Sequence, residues 1–540
     1  MLPGSWPGWL CLLLLARPAQ PCPTGCDCFS HQVFCTNEAL AAVPPTFPLH
    51  TTEVVFVETS FTALPTGAFS GSPQLTKVVF LNTQLSRLEP DAFRGLPRLA
   101  DLEITGSSFF NLSAAPFSHL RSLLKLTLSF NALRTLPADF FHHTLESLES
   151  LSLQGNRLQS LPDRLFQPLT QLKTLNLAQN LLVQLPEELF APLGRLQTLR
   201  LSHNLLGSLP AGAFGGLGHL QELFLDSNAL SELPAELFSP LRSLQKLWLH
   251  HNALGQLPPS IFWPLANLTH LSLLDNGLRT LPEGLFVRTS RLMSLSLSHN
   301  QLQGIPPGAF AKLSSLGTLT LSHNAITQLP AGVFGGLVEL TQLYLGNNNL
   351  TALHPSLFQN LSKLELLVLS KNLLTTLPEG LFDDNYNLFN LALHGNPWRC
   401  DCHLGYLFRW LQQFSDQLLN ARTVCAGPPY LRGQLVPALT EEQLVCPVSR
   451  APGPDAGEPG DSWDLGAVGK PPQSRCTYSN PEGTVVLACG PRCRWLRLQL
   501  SAWQGADSGL PYNASQTWDL TSACGTVRVT VSIEARAGVP

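Results

Sequence analysis

Charge is what this sequence has least of. Asp, Glu, Lys and Arg supply 13% of its 540 residues, roughly half the usual share. The hydrophobic fraction is an ordinary 44%, so the deficit excludes a disordered or polyelectrolyte chain rather than a folded one. No basic excess exists either: 33 Lys and Arg stand against 37 Asp and Glu, a net charge of -4. A surface that tracks a phosphate backbone is not expected, which removes nucleic acid as a partner. Beyond the N-terminus no apolar run reaches the ~20 residues that a membrane helix needs. The last residues, Ile533 to Pro540, lack the hydrophobic tail of a lipid-anchor signal. Catalytic signatures are missing as well, with no His-Glu-x-x-His and no Gly-x-Ser-x-Gly.

Cysteine is absent from a long middle, between Cys35 and Cys400. Of thirteen cysteines one, Cys11, falls in a short apolar leader over residues 1–21. Its core, Trp9 to Leu15, is too short to span a bilayer and reads as a signal peptide cut within residues 19–21. The mature chain is therefore expected to be soluble and secreted. Twelve cysteines then remain, in three clusters of four: Cys22, Cys26, Cys28 and Cys35; Cys400, Cys402, Cys425 and Cys446; Cys476, Cys489, Cys493 and Cys524. Even clusters in an exported chain favour disulfides over zinc, the competing reading of Cys-x-Cys pairs. Four cysteines allow three connectivities, and spacing does not choose among them.

Between the clusters runs a repeat. Leu172-x-x-Leu175-x-Leu177-x-x-Asn180-x-Leu182-x-x-Leu185-Pro186-x-x-x-Phe190 returns from Leu196, with Asn204 and Phe214. The asparagine recurs at 228, 252, 276, 300, 324, 348 and 372, a period of 24. Upstream it continues as Asn156 and Asn131, displaced by one insertion in 142–144, and then as Ser107, Thr83 and Thr59. Phenylalanine keeps its own column from Phe69 to Phe382. That makes fourteen repeats.

Each column has a physical reason. Leu-x-Leu alternates as a half-buried strand requires. Asparagine donates and accepts, so it can satisfy backbone that the bend strips of partners. Leu-Pro turns the chain and Phe fills the back of the core. An amphipathic helical array fails, because Leu-Pro every 24 residues breaks long helices. Each repeat touches only its neighbours, so the apolar ends need caps. Fourteen strands at about 4.8 Å give an inner arc of roughly 65 Å.

This pattern resembles the leucine-rich repeat family. The fold it implies is an α/β-type solenoid, a horseshoe with a parallel β-sheet on its concave face, disulfide caps at both ends and a small C-terminal β domain. Cys22-x3-Cys26-x-Cys28-x6-Cys35 resembles the N-terminal flanking module of extracellular members. Asn396-Pro-Trp398-Arg-Cys400-Asp-Cys402, with Cys425 and Cys446, resembles the C-terminal one. The resemblance implies the pairs Cys22–Cys28, Cys26–Cys35, Cys400–Cys425 and Cys402–Cys446. Expected boundaries are a leader at 1–21, an N-terminal cap at 22–50, repeats at 51–395, a C-terminal cap at 396–447, a Pro/Gly-rich linker at 448–475 and a disulfide-braced β domain at 476–540.

The stretch Leu340 to His354, the second cap and the tail segment Cys476-Thr-Tyr-Ser-Asn-Pro-Glu-Gly-Thr484 together resemble the family of carboxypeptidase N regulatory subunits. That resemblance implies a non-catalytic plasma glycoprotein without a cofactor. Its implied partner is the catalytic subunit of carboxypeptidase N, a zinc metallocarboxypeptidase that removes C-terminal Arg or Lys from circulating peptides, held in a hetero-oligomer. A matrix or receptor-type ligand binder is the alternative from another class.

An enzyme reading has little to stand on. His50-x-x-Glu53, His143-x-x-Glu146 and His219-x-x-Glu222 copy a zinc-ligand spacing. In register, His219 and Glu222 straddle core Leu220 rather than one metal. Gly212, Gly215, Gly216 and Gly218 belong to an outer turn, without the strand–helix unit of a phosphate loop. Five glycan acceptors are present, Asn111, Asn267, Asn349, Asn360 and Asn513. None of the four in the repeats falls mid-strand, which leaves the inner sheet open. Its outward column reads Thr127, Ser152, Asn176, Arg200, Phe224, Trp248, Ser272, Ser296, Thr320, Tyr344. Phe224 and Trp248 on adjacent rungs, with Arg200 before them, His250 beside them and Tyr344 further on, are the expected partner-binding residues, and His251 also stands beside Trp248.

Overall fold

The computed structural model describes residues 21–141, 145–414 and 422–446, and beyond these the backbone of five tail strands. The expected leader through residue 20, His143, the linker at 448–475, Asn513, Cys493 and Cys524 lie outside the described residues. The chain forms two compact units, one of residues 1–349, 356–367 and 382–388, the other of 350–355, 368–381 and 389–540.

In the first unit the repeat becomes a β-solenoid. Glu53–Val57, Lys77–Leu81 and Asp101–Thr105 are five-residue strands, and from Lys125–Thr127 onward each repeat contributes three residues. Neighbours pair in parallel and in register, so Leu175 lies beside Leu151 and Leu199. The single-residue offset after Phe141 leaves the register intact, with Leu126 opposite Leu151. The sheet starts inside the cap. Strands Cys26–Phe29 and Gln32–Cys35 form an antiparallel hairpin, and the second of them pairs in parallel with Glu53–Val57. Cys22–Cys28 and Cys26–Cys35 brace that hairpin.

The core is built by columns. Leu172, Leu175, Leu177 and Leu182 are fully buried, and their equivalents in the following repeats are buried too. Burial of each such side chain stabilises the coil by about 1.5–3 kcal/mol before chain entropy is subtracted. Asn180 does what its column needs: its amide donates to the carbonyls of Leu153 (3.0 Å) and Leu177 (3.1 Å), and its Oδ1 accepts from the Leu158 N–H (3.2 Å). In the early repeats hydroxyls replace it. Thr83 Oγ1 meets Ser107 Oγ at 3.0 Å, and Asn131 Oδ1 reaches back to the Ser107 N–H at 2.8 Å.

The phenylalanines form a spine, with Phe166 and Phe190 at 6.2 Å and Phe334 and Phe358 at 6.3 Å, all near-parallel. Behind it the chain returns in turns rather than helices, closed by i→i+3 bonds such as Leu189 N–H to Pro186 O and Leu193 N–H to Phe190 O. Among the described residues of the first unit, the only helical turn is a 3-10 segment, Ala115–Phe117.

The α component of the fold lies in the second unit. There Asn396 continues the ladder, donating to Leu369 O and Leu393 O and accepting from the Leu374 N–H. Trp398 is buried and its indole donates to Leu393 O at 3.0 Å. Helix Gly405–Phe414 buries Leu407, Phe408 and Leu411. Cys400–Cys425 and Cys402–Cys446 are bonded. In the tail Cys476–Ser479, Val485–Cys489 and Arg528–Val531 form a three-stranded antiparallel sheet, and Trp495–Ser501 pairs with Ser515–Thr521.

Candidate functional site

Alternation decides what the strand face presents. In Leu-x-Leu both leucines point into the core, so the residue between them points out. On three consecutive rungs that residue is Arg200, Phe224 and Trp248, aligned in register. Phe224 and Trp248 lie face to face, with ring centroids 4.0 Å apart and planes 4° from parallel. The Arg200 guanidinium caps the stack, its Cζ 4.0 Å from the Phe224 centroid. Cation–π attraction of this kind contributes about 0.5–1 kcal/mol at exposed sites.

The stack walls a groove of about 310 Å³, lined also by Asn176, Gln179, Asp226 and His250. Its polar floor is tied together. Asn176 donates to Gln154 Oε1 at 2.9 Å, and Gln154 in turn donates to Gln179 Oε1 at 3.0 Å. Asp226, which is 8% exposed, accepts from the Ser202 hydroxyl at 2.7 Å. His250 Nε2 stands 3.6 Å from Asp226 Oδ2. Burial pushes the His250 imidazole below its ordinary pKa; Asp226 opposes the shift, and His251 and His203 add to it. The lowering favours the neutral imidazole. The adjacent His251 reaches the neighbouring rung, its Nδ1 2.7 Å from Asp275 Oδ2.

Phe224 and Trp248 are both half-buried, because each covers a face of the other. Tyr344 belongs to the same column but not to the groove. Ser272, Ser296 and Thr320 intervene, a separation of about 19 Å at the usual strand spacing. Its hydroxyl donates to Gln342 Oε1 at 3.2 Å.

One column escaped the sequence reading. Two residues after the third leucine of each repeat the backbone is left-handed, with φ of 56° at Gln179, 54° at His203, 53° at His251 and Asp275, and 52° at Asn347. That conformation costs most L-residues about 1–2 kcal/mol, and Asn, Asp and His tolerate it best. The recurrence of His, Asp and Asn just before the ladder asparagine was the available signal.

Within the described residues, the zinc-like spacings at His219–Glu222 and His50–Glu53 do not assemble a site. His219 Nδ1 bonds Gly194 O at 2.8 Å, whereas Glu222 pairs with Lys246 at 3.0 Å. Glu53 is taken by Lys77 at 2.7 Å and Gln32 at 2.8 Å. Burial opposes ionisation there, yet the hydrogen bonds from Lys77 and Gln32 hold the carboxyl below its ordinary pKa. Asp401, Cys402 and His403 cluster in the second cap, but the Cys402 sulfur is bonded to Cys446 and offers no thiolate. Gly216 is structural: its φ is +84° and a Cβ there would meet Ala191 O at 2.4 Å.

Asn111, Asn349 and Asn360 are exposed and off the strands. The Asn267 amide donates to Arg242 O at 2.9 Å, and its Oδ1 accepts from Arg291 at 2.7 Å. Among the described residues no helix is long and apolar enough to cross a membrane.

A family profile described as leucine rich repeat matches residues 146–206, 194–254, 243–302, 290–350 and 338–397, and a BspA-type leucine rich repeat region profile matches 48–167. Together they run from 48 to 397, more than half of the 540 residues. The chain is similar to human carboxypeptidase N subunit 2, 66% identical over 165 residues, and to the mouse protein, 62% over 166. These stretches cover 29% of the chain and 30% of each relative. The human platelet glycoprotein Ib beta chain is 44% identical over 62 residues, 12% of the chain and 29% of that protein. Among solved structures, Toll in the Drosophila Toll–Spatzle complex shares 25% identity at a TM-score of 0.61, over 74% of this chain and 65% of that one. A chain of the TLR13–ssRNA13 complex shares 26% at 0.57, over 70% and 59%.

Proposed function

Because this chain belongs to the leucine-rich repeat family, we propose that it is a secreted, non-catalytic regulatory subunit that binds and stabilises a zinc carboxypeptidase acting on C-terminal Arg or Lys of plasma peptides. The observation that carries the reading is the 66% identity to carboxypeptidase N subunit 2 over 165 residues. A solenoid suits a holding role, since it exposes a long sheet face to a partner. The groove walled by Phe224 and Trp248 is the proposed docking area, with Arg200 and His250 in its lining. The proposed glycans at Asn111, Asn267, Asn349 and Asn360 sit off the strands and leave it accessible.

The test is co-elution of the purified full chain with the catalytic subunit of carboxypeptidase N, followed by the thermal half-life of the peptidase. A stable complex with a prolonged half-life is expected. Separate elution at micromolar concentrations, with an unchanged half-life, would exclude the assignment.

A further inference from the structure

We propose that the groove beside the Arg200–Phe224–Trp248 stack receives an acidic–apolar segment of its partner, one that sets a carboxylate next to a bulky apolar side chain. This deepens the docking reading above and rests on it for the partner's identity, though not for the chemistry.

Charge complementarity is the first argument. Arg200 is exposed and no carboxylate pairs with it among the described residues. Its neighbours on the strand face are matched: Lys246 with Glu222 at 3.0 Å, Lys173 with Glu149 at 2.8 Å, and His251 with Asp275 at 2.7 Å. Asp226 is not available to Arg200, because it is buried and turned toward Ser202 and His250. Burial favours the neutral form of His250, which adds no competing cation. The groove therefore presents one exposed positive charge, Arg200, above the buried carboxylate of Asp226.

Geometry is the second. The Phe224 ring covers one side of the guanidinium, with Cζ 4.0 Å from its centroid, and the N–H donors turned from the ring remain for a carboxylate. Across the stack, the Trp248 face that turns from Phe224 looks toward Ser272, a side chain too small to cover an indole. An apolar side chain laid there buries ring area, while the carboxylate two or three residues away reaches Arg200. A basic segment would meet the guanidinium with its own charge.

Two probes test this with the full-length chain: the catalytic subunit of carboxypeptidase N, and a pair of synthetic hexapeptides, Gly-Glu-Leu-Glu-Phe-Gly and Gly-Lys-Leu-Lys-Phe-Gly. The acidic peptide should bind and the basic one should not. Arg200→Glu should weaken both the acidic peptide and the catalytic subunit by about tenfold or more. Arg200→Lys should not restore binding, because a lysine neither stacks flat nor forks a carboxylate. Equal binding of the acidic peptide to wild type and Arg200→Glu, or preference for the basic peptide, overturns the proposal. If the catalytic subunit binds and Arg200→Glu leaves its affinity unchanged, the acidic–apolar assignment falls and the regulatory-subunit reading survives. If the acidic peptide binds through Arg200 and the catalytic subunit does not bind, the outcome is reversed.

Discussion

Phe224 and Trp248 share a ring face at 4.0 Å and 4°, so they act as one two-layer platform rather than two separate anchors. Loss of Phe224 frees the indole to leave the position in which it meets a partner. Both single alanine variants are therefore expected to weaken assembly with the catalytic subunit by about tenfold or more. The double variant should cost less than the sum, because each single change already dismantles the platform. A calorimetric double-mutant cycle measures this. Unchanged affinity in the double variant removes the platform from the interface. The coil should stay folded throughout, since both side chains point away from the leucine core.

The asparagine ladder predicts a local stability loss. Asn204 Oδ1 accepts from the buried Leu182 N–H at 3.1 Å, and its amide donates to Leu177 O and Leu201 O. Both carbonyls keep a second asparagine donor, from Asn180 and Asn228, so the N–H is the group left orphaned. Asn204→Ala should cost about 1–3 kcal/mol. Hydrogen exchange at Leu182 should accelerate far more than at Leu302, whose own asparagine partner is untouched.

Acid should loosen the strand face before it reaches the carboxylates. Burial lowers the pKa of His250, against Asp226 and with help from His251 and His203; burial and Lys246 lower that of His270. With the folded pKa below the unfolded one, the unfolded chain takes up protons first. The stability is complete above about pH 6.5 and is lost as pH falls through the folded values. A melting temperature that declines from pH 7.5 to pH 5.5, with a smaller decline in His250→Asn, is the expected pattern. Identical pH slopes in the two proteins would contradict it.

Mild reduction should act at the ends. The described disulfides are Cys22–Cys28, Cys26–Cys35, Cys400–Cys425 and Cys402–Cys446, and the repeats between depend on nearest-neighbour packing. Exchange protection should fall first in the hairpin at Cys26–Phe29 and around helix Gly405–Phe414. Uniform loss across residues 150–344 would speak against a nearest-neighbour solenoid.

No peptidase turnover is expected from the isolated chain at any zinc concentration. His219 and Glu222 have other partners, and Cys402 is tied in a disulfide. Hydrolysis of a C-terminal Arg peptide that persists after removal of any co-purifying peptidase, and that disappears in His143→Ala, would overturn this.

The sequence by itself determined the solenoid. Leu175, Leu177, Asn180 and Phe190 recur with period 24 because each repeat meets the same neighbours, so burial and hydrogen-bond demand are legible one residue at a time. The outward column was legible for the same reason, and with it the adjacency of Phe224 and Trp248. Tertiary structure decided the rest. That the two rings cover each other, that Arg200 lies on Phe224 instead of pairing with Asp226, and that His250 is half-buried beside Asp226 depend on side-chain directions across three strands. The distance from Tyr344 to the groove likewise follows from stacking, four rungs along the sheet. A periodic pattern fixes which face a side chain takes, because that is set by the backbone of its own repeat. Which neighbour it touches on that face is settled only when adjacent rungs are packed together.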